Sequence, residues 1–418
     1  MMNRRNAKIL VLGAALALAL PAVASAQMSR VEGMAIQGDF IKDWSGIFTY
    51  TSSVANVGNL VYGELGNVSS PPLTFDRGVG AVIGNLWEGR LGTWAIHLRE
   101  QTPNLGQGDA ASGSAPGAFG GDPNTHTSES FDIMWGKKFG TTSFGLRVNR
   151  SNGKVLQEIT GVTSQLEADF TLADPNLSRN VLGLGAGIGF EMSPTSNIEI
   201  GLLYQNRTWK LEVPGGIAEQ DGGSAYQLAG RAMWQWQPNI MVVPVVKYYN
   251  YDLGEKSTPT GGPTTSFDNS RKGWQVGAAG NWTLGSNDLF VLGVNVAQNK
   301  LNQQEDLFGL GFGDTLEVTE SFTPQLFAAL ETHVNSWLTV RFGANKGAWE
   351  KLKITQNNGD ILEFTSSTFN MNLGAGLKFG NLQLDAILDN GFPNHLPYFI
   401  SGDSTSDMFA KVTATYPF

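Results

Sequence analysis

The chain has 418 residues, 41% of them apolar and 16% charged, with 52 glycines, no cysteine and a formal charge of −9. Without cysteine there is no disulfide scaffold, thiolate metal site or cysteine nucleophile, and the acidic balance argues against nucleic acid as a partner. After the first 26 residues, no run of about 18 apolar residues could cross a bilayer as a helix.

At the N-terminus, Arg4, Arg5 and Lys8 precede an apolar stretch from Ile9 to Leu20, followed by Pro21 and the small residues Ala24-Ser25-Ala26. That is the layout of a cleavable export signal, so 1–26 reads as a signal peptide and Gln27 as the first mature residue. Its loss removes three basic residues and no acidic ones, which deepens the negative charge. Residues 27–58 read as a separate N-terminal segment, and 59–418 as one continuous body.

From 59 onward the dominant period is two. Leu182, Leu184, Ala186, Ile188 and Phe190 alternate with Gly183, Gly185, Gly187 and Gly189. Tyr226, Leu228, Ala232, Trp234 and Trp236 oppose Gln227, Arg231 and Gln235. The same holds for Trp274 to Leu284, for Phe369 to Phe379, and for Met408, Ala410, Val412, Ala414, Tyr416 and Phe418. One apolar and one polar face is the half-buried strand pattern. In a transmembrane barrel the apolar face meets lipid and the other the lumen. Trp234, Trp236, Trp282, Trp337 and Tyr416 fall near strand ends, where interfacial girdles belong.

Connections alternate in length. Tight polar turns are predicted at 88–90, 140–141, 193–195, 237–239, 285–287, 335–336 and 380–381, and longer loops at 66–76, 102–129, 151–178, 212–223, 253–268, 301–314, 351–360 and 390–404. Short turns on one side and long loops on the other define a bacterial barrel of about sixteen strands. Around Pro244 and Phe322-Thr323-Pro324 the pattern weakens, which leaves about fourteen as the alternative count.

Several motifs mimic chemistry. The run Gly183-Leu-Gly185-Ala-Gly187-Ile-Gly189 places glycine at every second residue, as a strand with a bare face does; a dinucleotide loop needs a strand, a turn and a helix. His97, His126, His333 and His395 are scattered and form no metal spacing. No histidine has a serine or acidic partner recognisable from sequence, so neither an enzyme nor a cofactor is expected. The candidate lumen-lining set is His97, Arg99, Asp132, Lys138, Arg147, Glu199, Arg207, Arg231, Glu331, Arg341, Lys378, Asp385, Asp389 and Lys411. Facing lipid, each charge would cost several kcal/mol. Facing a water-filled constriction, opposite signs give a transverse field that filters ions, and the alternative is a set of braces in a plugged lumen. Acidic loops at the mouth would give a weak cation preference.

The last strand, with Val412, Ala414, Tyr416 and the terminal Phe418, resembles the assembly signal of bacterial outer-membrane proteins. The stretches Gly33-Met34-Ala35-Ile36-Gln37-Gly38-Asp39, Asp43-Trp44-Ser45-Gly46-Ile47-Phe48 and Ser52-Ser53-Val54-Ala55 resemble the N-terminal region of FadL and PorV-like barrels. Here Tyr50-Thr51-Ser52 stands where those have Asn-Pro-Ala. The resemblance implies that 27–58 is tucked inside the barrel as a plug, and that hydrophobic solutes pass. A looser porin resemblance implies an inward-folding loop at 151–178. The expectation is an all-β transmembrane antiparallel barrel in the outer membrane of a diderm bacterium, acting as a porin-like channel for passive diffusion. FadL-like transport of hydrophobic solutes and a non-conducting structural barrel are the alternatives. Expected partners are outer-membrane lipid, the barrel assembly machinery, small solutes and a second copy in a homo-oligomer.

Overall fold

The computed structural model describes residues 29–66, 77–84, 86–99, 129–156, 176–213, 216–285, 288–306, 313–355, 361–388 and 409–418. The predicted signal peptide, Gln27, Asp389 and most of the predicted loops at 66–76, 102–129, 151–178 and 390–404 lie outside these residues. The described strands form a closed sixteen-strand antiparallel barrel. They are β1 (Leu60–Gly66), β2 (Gly78–Ile83), β3 (Thr93–Arg99), β4 (Glu129–Phe139), β5 (Thr142–Leu156), β6 (Asn176–Ser193) and β7 (Ser196–Val213). Next come β8 (Gly216–Gln220 and Ser224–Gln237), β9 (Ile240–Asp252 and Glu255–Pro259), β10 (Thr265–Phe267 and Ser270–Leu284), β11 (Asp288–Asp306) and β12 (Gly313–His333). The last four are β13 (Leu338–Gly347 and Glu350–Thr355), β14 (Ile361–Ser366 and Phe369–Phe379), β15 (Leu382–Leu388) and β16 (Phe409–Pro417).

Each strand pairs with its sequence neighbours, and β1 closes on β16 from Leu60↔Pro417 to Gly66↔Lys411. Closure matters because a sheet edge in hydrocarbon would leave backbone N–H and C=O groups without partners, at several kcal/mol each. The hydropathy alternation becomes an inside and an outside. Leu146, Val148, Leu182, Leu184, Leu202, Leu228, Val246 and Val276 are exposed on the outer wall, while Arg147, Asn149, Val181, Leu203, Gln227 and Gln275 are buried inside. Trp94, Phe139, Phe144, Phe190, Trp234, Trp236, Trp337, Phe379 and Tyr416 stand exposed at the short-turn end. Trp282, at the same end, is half-buried and tilts against Phe290 at 5.7 Å. Towards the other end, Tyr204, Tyr226, Tyr248 and Trp274 occupy outward positions on four successive strands. Gly140 and Gly380 take left-handed φ of +61° at the tight turns, a conformation that a side chain disfavours.

Two expectations change. The described parts of the stretches at 212–223, 253–268, 301–314 and 351–360 are mostly continued strand. Lys210–Val213 pairs with Gly216–Glu219, that segment pairs with Glu255–Pro259, and β11 and β12 stay paired as far as Asp306↔Gly313. Beyond the bilayer both faces of a sheet meet water, so the hydropathy period vanishes while the hydrogen-bond ladder continues. The prolines are absorbed within strands. Pro244 is exposed on β9 opposite Ala278, and Pro324 sits near a register shift between Asn295 and Ala297. Sixteen strands result.

The N-terminal segment lies inside the barrel. It comprises α1 (Ser29–Glu32) and three short 3-10 turns at Gly38–Phe40, Trp44–Phe48 and Thr51–Asn56. Val31, Met34, Ile36, Phe40 and Ile41 pack against wall residues Met233, Val243, Val245, Ala279, Val291, Phe327 and Ala329. Ile47, Phe48 and Val54 form a second cluster with Leu60, Tyr62, Val82, Ala95 and Met134. A lumen wall carrying such side chains would be poorly hydrated without this cover.

Candidate functional site

The site begins with a row of missing side chains. Gly136 of β4 stands opposite Gly145 of β5, Gly145 opposite Gly187 of β6, and Gly187 opposite Gly201 of β7. Neighbouring strands are about 4.8 Å apart, so four bare positions in register cut a trough across the inner wall. Residues 49–55 lie in it. A Cβ on Gly187 would stand 2.6 Å from Ser52 N, one on Gly136 2.6 Å from Ala55 N, and those on Gly145 and Gly201 would strike the carbonyls of Thr51 and Thr49. On the opposite wall Gly343 faces the Met34 carbonyl in the same way. The Gly183–Gly189 run, which mimics a dinucleotide loop, contributes Gly187 to this trough.

Hydrogen-bond accounting comes next. Short turns leave many carbonyls without a donor inside the segment itself, and a buried carbonyl requires one. The wall supplies them: Asn372 Nδ2 donates to the Glu32 carbonyl (2.7 Å), Asn345 Nδ2 to Ala35 (3.0 Å), Asn281 Nδ2 to Phe40 (2.9 Å) and Arg147 Nη1 to Phe48 (2.6 Å). Arg231 Nη1 reaches the carbonyls of Gly38, Asp39 and Ile41, each at 3.4 Å.

Charges complete the fit. Arg30 forks onto Glu331 with two bonds of 2.9 Å and turns its remaining arm to Asp43 at 2.7 Å. Arg341 bridges Glu331 and Asp385 at 2.6 Å each. Lys411 joins Glu32 (3.0 Å) to Glu64 (2.9 Å), and Lys247 pairs with Asp39. Glu199 accepts from Arg231 Nε (2.7 Å) and from Ser53 Oγ (2.7 Å). Asp132 takes bonds from Arg147, Asn149 and Arg99. Arg231 also stacks over the Tyr50 ring at 4.2 Å. Taking such ions from water costs several kcal/mol each, so the pairs set the segment's position more than they add stability.

Of the residues singled out from sequence, Arg147, Arg231, Glu199, Glu331 and Lys411 touch the N-terminal segment directly, and Arg341, Asp385 and Asp132 orient them. Arg99 lies over Phe48 at 5.2 Å. His97 is buried, with Nδ1 2.6 Å from Tyr62 Oη and its ring edge-on to Phe48. Arg207 is buried farther up the wall, bonded to Gln205 and 5.5 Å from the Tyr251 ring. Lys138 and Lys378 are exposed near the short turns, Lys138 paired with Glu191 at 2.5 Å. Asp389 is outside the described residues. A charged constriction open to water is therefore not what these side chains form in this state: they grip a segment of the same chain. Of the C-terminal signal, Val412 and Ala414 are half-buried, while Tyr416 and Phe418 are exposed beside β1.

Sequence reasoning missed Arg30, Glu32, Glu64, Lys247 and Asn345; Asp39 and Asp43 entered only within the stretches that resemble FadL-like barrels, and Asn281 and Asn372 only as polar-face positions of their strands. Inward polar residues at alternate positions were the available signal for those on strands. Those on the N-terminal segment had no period to reveal them.

A closed sixteen-strand barrel with an apolar exterior, aromatic rims and an internal N-terminal segment is an outer-membrane β-barrel. No protein-family model and no curated protein matches the chain. Among solved structures it is similar to a Pseudomonas aeruginosa FadL homologue, at 11% identity over 94% of this chain and 98% of that one, TM-score 0.43. It is also similar to the Ralstonia pickettii toluene transporter TbuX, at 10% identity over 94% and 97%, TM-score 0.38. The ferric preacinetobactin receptor BauA from Acinetobacter baumannii aligns at 12% identity over 79% of this chain, TM-score 0.44. The chain spans 53% of BauA and 60% of the copper transporter OprC. With every one of these TM-scores below 0.5, the fold assignment stands on the strand pairing itself.

Proposed function

We propose that this chain is an outer-membrane transporter for small apolar solutes, closed in the described state by its own residues 29–58. The observation that carries the reading is the internal segment seated on an apolar inner wall of Met233, Val243, Val245, Ala279, Val291 and Phe327. Such a wall suits an apolar solute that replaces the segment's side chains, because the area withdrawn from water is conserved in the exchange. A polar solute would have to pass the same wall without compensation. Passive diffusion of polar solutes is the second reading, favoured by the Arg147–Asp132, Arg231–Glu199 and Arg341–Asp385 pairs, which would face water once the segment left.

The test uses proteoliposomes containing the full chain or a variant lacking 27–58. The full chain should give no steady conductance steps yet admit an apolar dye, and the shortened chain should conduct ions. Steady conductance and sugar flux through the full chain would establish the passive channel instead. Exclusion of both dye and ions by the full chain would overturn transport and leave a structural barrel.

A further inference from the structure

The outer wall changes character abruptly at the long-connection end of β10 to β14. On β10 the outward sequence runs Val276, Trp274, Lys272, and on β11 Val294, Val296, Gln298, Lys300. On β13 it runs Phe342, Ala344, Lys346, whose Nζ donates to Ser367 Oγ at 3.0 Å, then past the exposed Trp349 to Lys351 and Lys353. Each strand crosses from apolar to cationic within a few residues of an aromatic or amide, so these lysines stand at the level where acyl chains give way to headgroups.

Their register concentrates the charge. Lys272 is directly opposite Lys300, Lys300 is opposite Thr319, and Thr319 is opposite Lys353. Lys351 lies one outward position below, opposite Ser321. Directly opposed like charges destabilise a strand pair, and two glutamates offset four lysines only in part. Lys300 pairs with Glu317 at 2.7 Å, and Glu363 stands across from Lys353. Among the described residues Lys272, Lys351 and Lys353 form no ion pair. The corresponding outward positions on β6 to β9 are neutral, at Asn180, Asn206, Thr208, Ser224 and Asn250, and the lysine beyond them on β7, Lys210, is neutralised by Glu212 at 2.6 Å. The patch is local.

We propose that Lys272, Lys300, Lys351 and Lys353 form a binding site for the phosphorylated headgroup of an outer-leaflet glycolipid. A phosphate between Lys272 and Lys300 relieves their repulsion and is held by charge-assisted hydrogen bonds. The apolar strip below, with Trp274 and Phe342, accommodates the acyl chains that a soluble anion lacks. The basic patch is a lipid site, distinct from the lumen.

Native mass spectrometry of the detergent-purified full chain tests this, titrating lipid A with both phosphates against the dephosphorylated form. The doubly phosphorylated lipid should bind at least about tenfold more tightly, since each basic residue near a membrane surface contributes about 1 kcal/mol, or fivefold. Combined Lys272→Gln, Lys351→Gln and Lys353→Gln should remove that preference while heat-modifiable folding persists. Single Lys272→Glu should weaken it if the triple variant folds poorly. Equal binding of the two lipids by the unmodified chain, or an unchanged preference in the folded variants, would overturn the site. Displacement of lipid A by millimolar inorganic phosphate would overturn the lipid assignment.

Discussion

Adding one methyl group at Gly187 should loosen the N-terminal segment without harming the barrel. The new Cβ would stand 2.6 Å from Ser52 N and 3.0 Å from Thr51 N, whereas carbon contacts settle at about 3.5–4.0 Å. The obstacle is backbone, so residues 51–52 must retreat by about 1 Å, and overpacking of this kind costs about 1–3 kcal/mol. Against it stand Ile47, Phe48 and Val54, each almost wholly buried and contributing about 1.5–3 kcal/mol. Gly187→Ala should thus leave the segment docked on average while raising its undocked fraction about 5- to 150-fold. The chain has no cysteine, which makes a single reporter thiol unambiguous. Ser52 is buried with its hydroxyl unpartnered, so Ser52→Cys sacrifices no hydrogen bond. Maleimide labelling of that thiol should accelerate by the same factor in Gly187→Ala. Gly63 of β1, whose added Cβ meets nothing within 4 Å, is the control. Equal labelling with and without Gly187→Ala, or equal acceleration by Gly63→Ala, would refute the trough.

Arg30→Met should release the segment further, because it deprives Asp43 of its cation and leaves Glu331 to Arg341 alone. Broken buried pairs cost about 3–5 kcal/mol, and Arg30 is partly accessible, so the lower end applies; Arg30→Lys, which keeps charge but loses the fork, should label at an intermediate rate. Leu373→Arg places a cation on the lipid face and should cost insertion about 2–4 kcal/mol if mid-membrane, read as lost heat-modifiable protein. Sequence alone suggests that Asn372→Arg would merely alter the lumen. Asn372 holds the Glu32 carbonyl at 2.7 Å, so that variant should insert yet label faster at residue 52. Removal of Phe418, whose N–H donates to the Asn59 carbonyl at 3.2 Å beside the β1–β16 seam, should reduce the folded yield in the outer membrane; an unchanged yield would exclude it from the assembly signal.

The strand order, the two faces and the barrel class were legible because lipid imposes a hydropathy period of two on every strand that crosses it, as Leu182 to Phe190 and Val412 to Phe418 show. That same cause sets the limit of legibility. Where strands rise above the bilayer, at 210–213, 216–220 and 301–306, water meets both faces, the period disappears and continued strand reads as loop. The bare face of the Gly183–Gly189 run was visible, but not what it is bare for. Only the register of β4 to β7 aligns Gly136, Gly145, Gly187 and Gly201 into one trough, and only closure of the sheet brings the segment's carbonyls over it. Arg30 meets Glu331 across 301 residues of chain and Glu32 meets Lys411 across 379. Residues so distant become neighbours through the curvature of the whole wall, and nothing in their local sequence carries that distance.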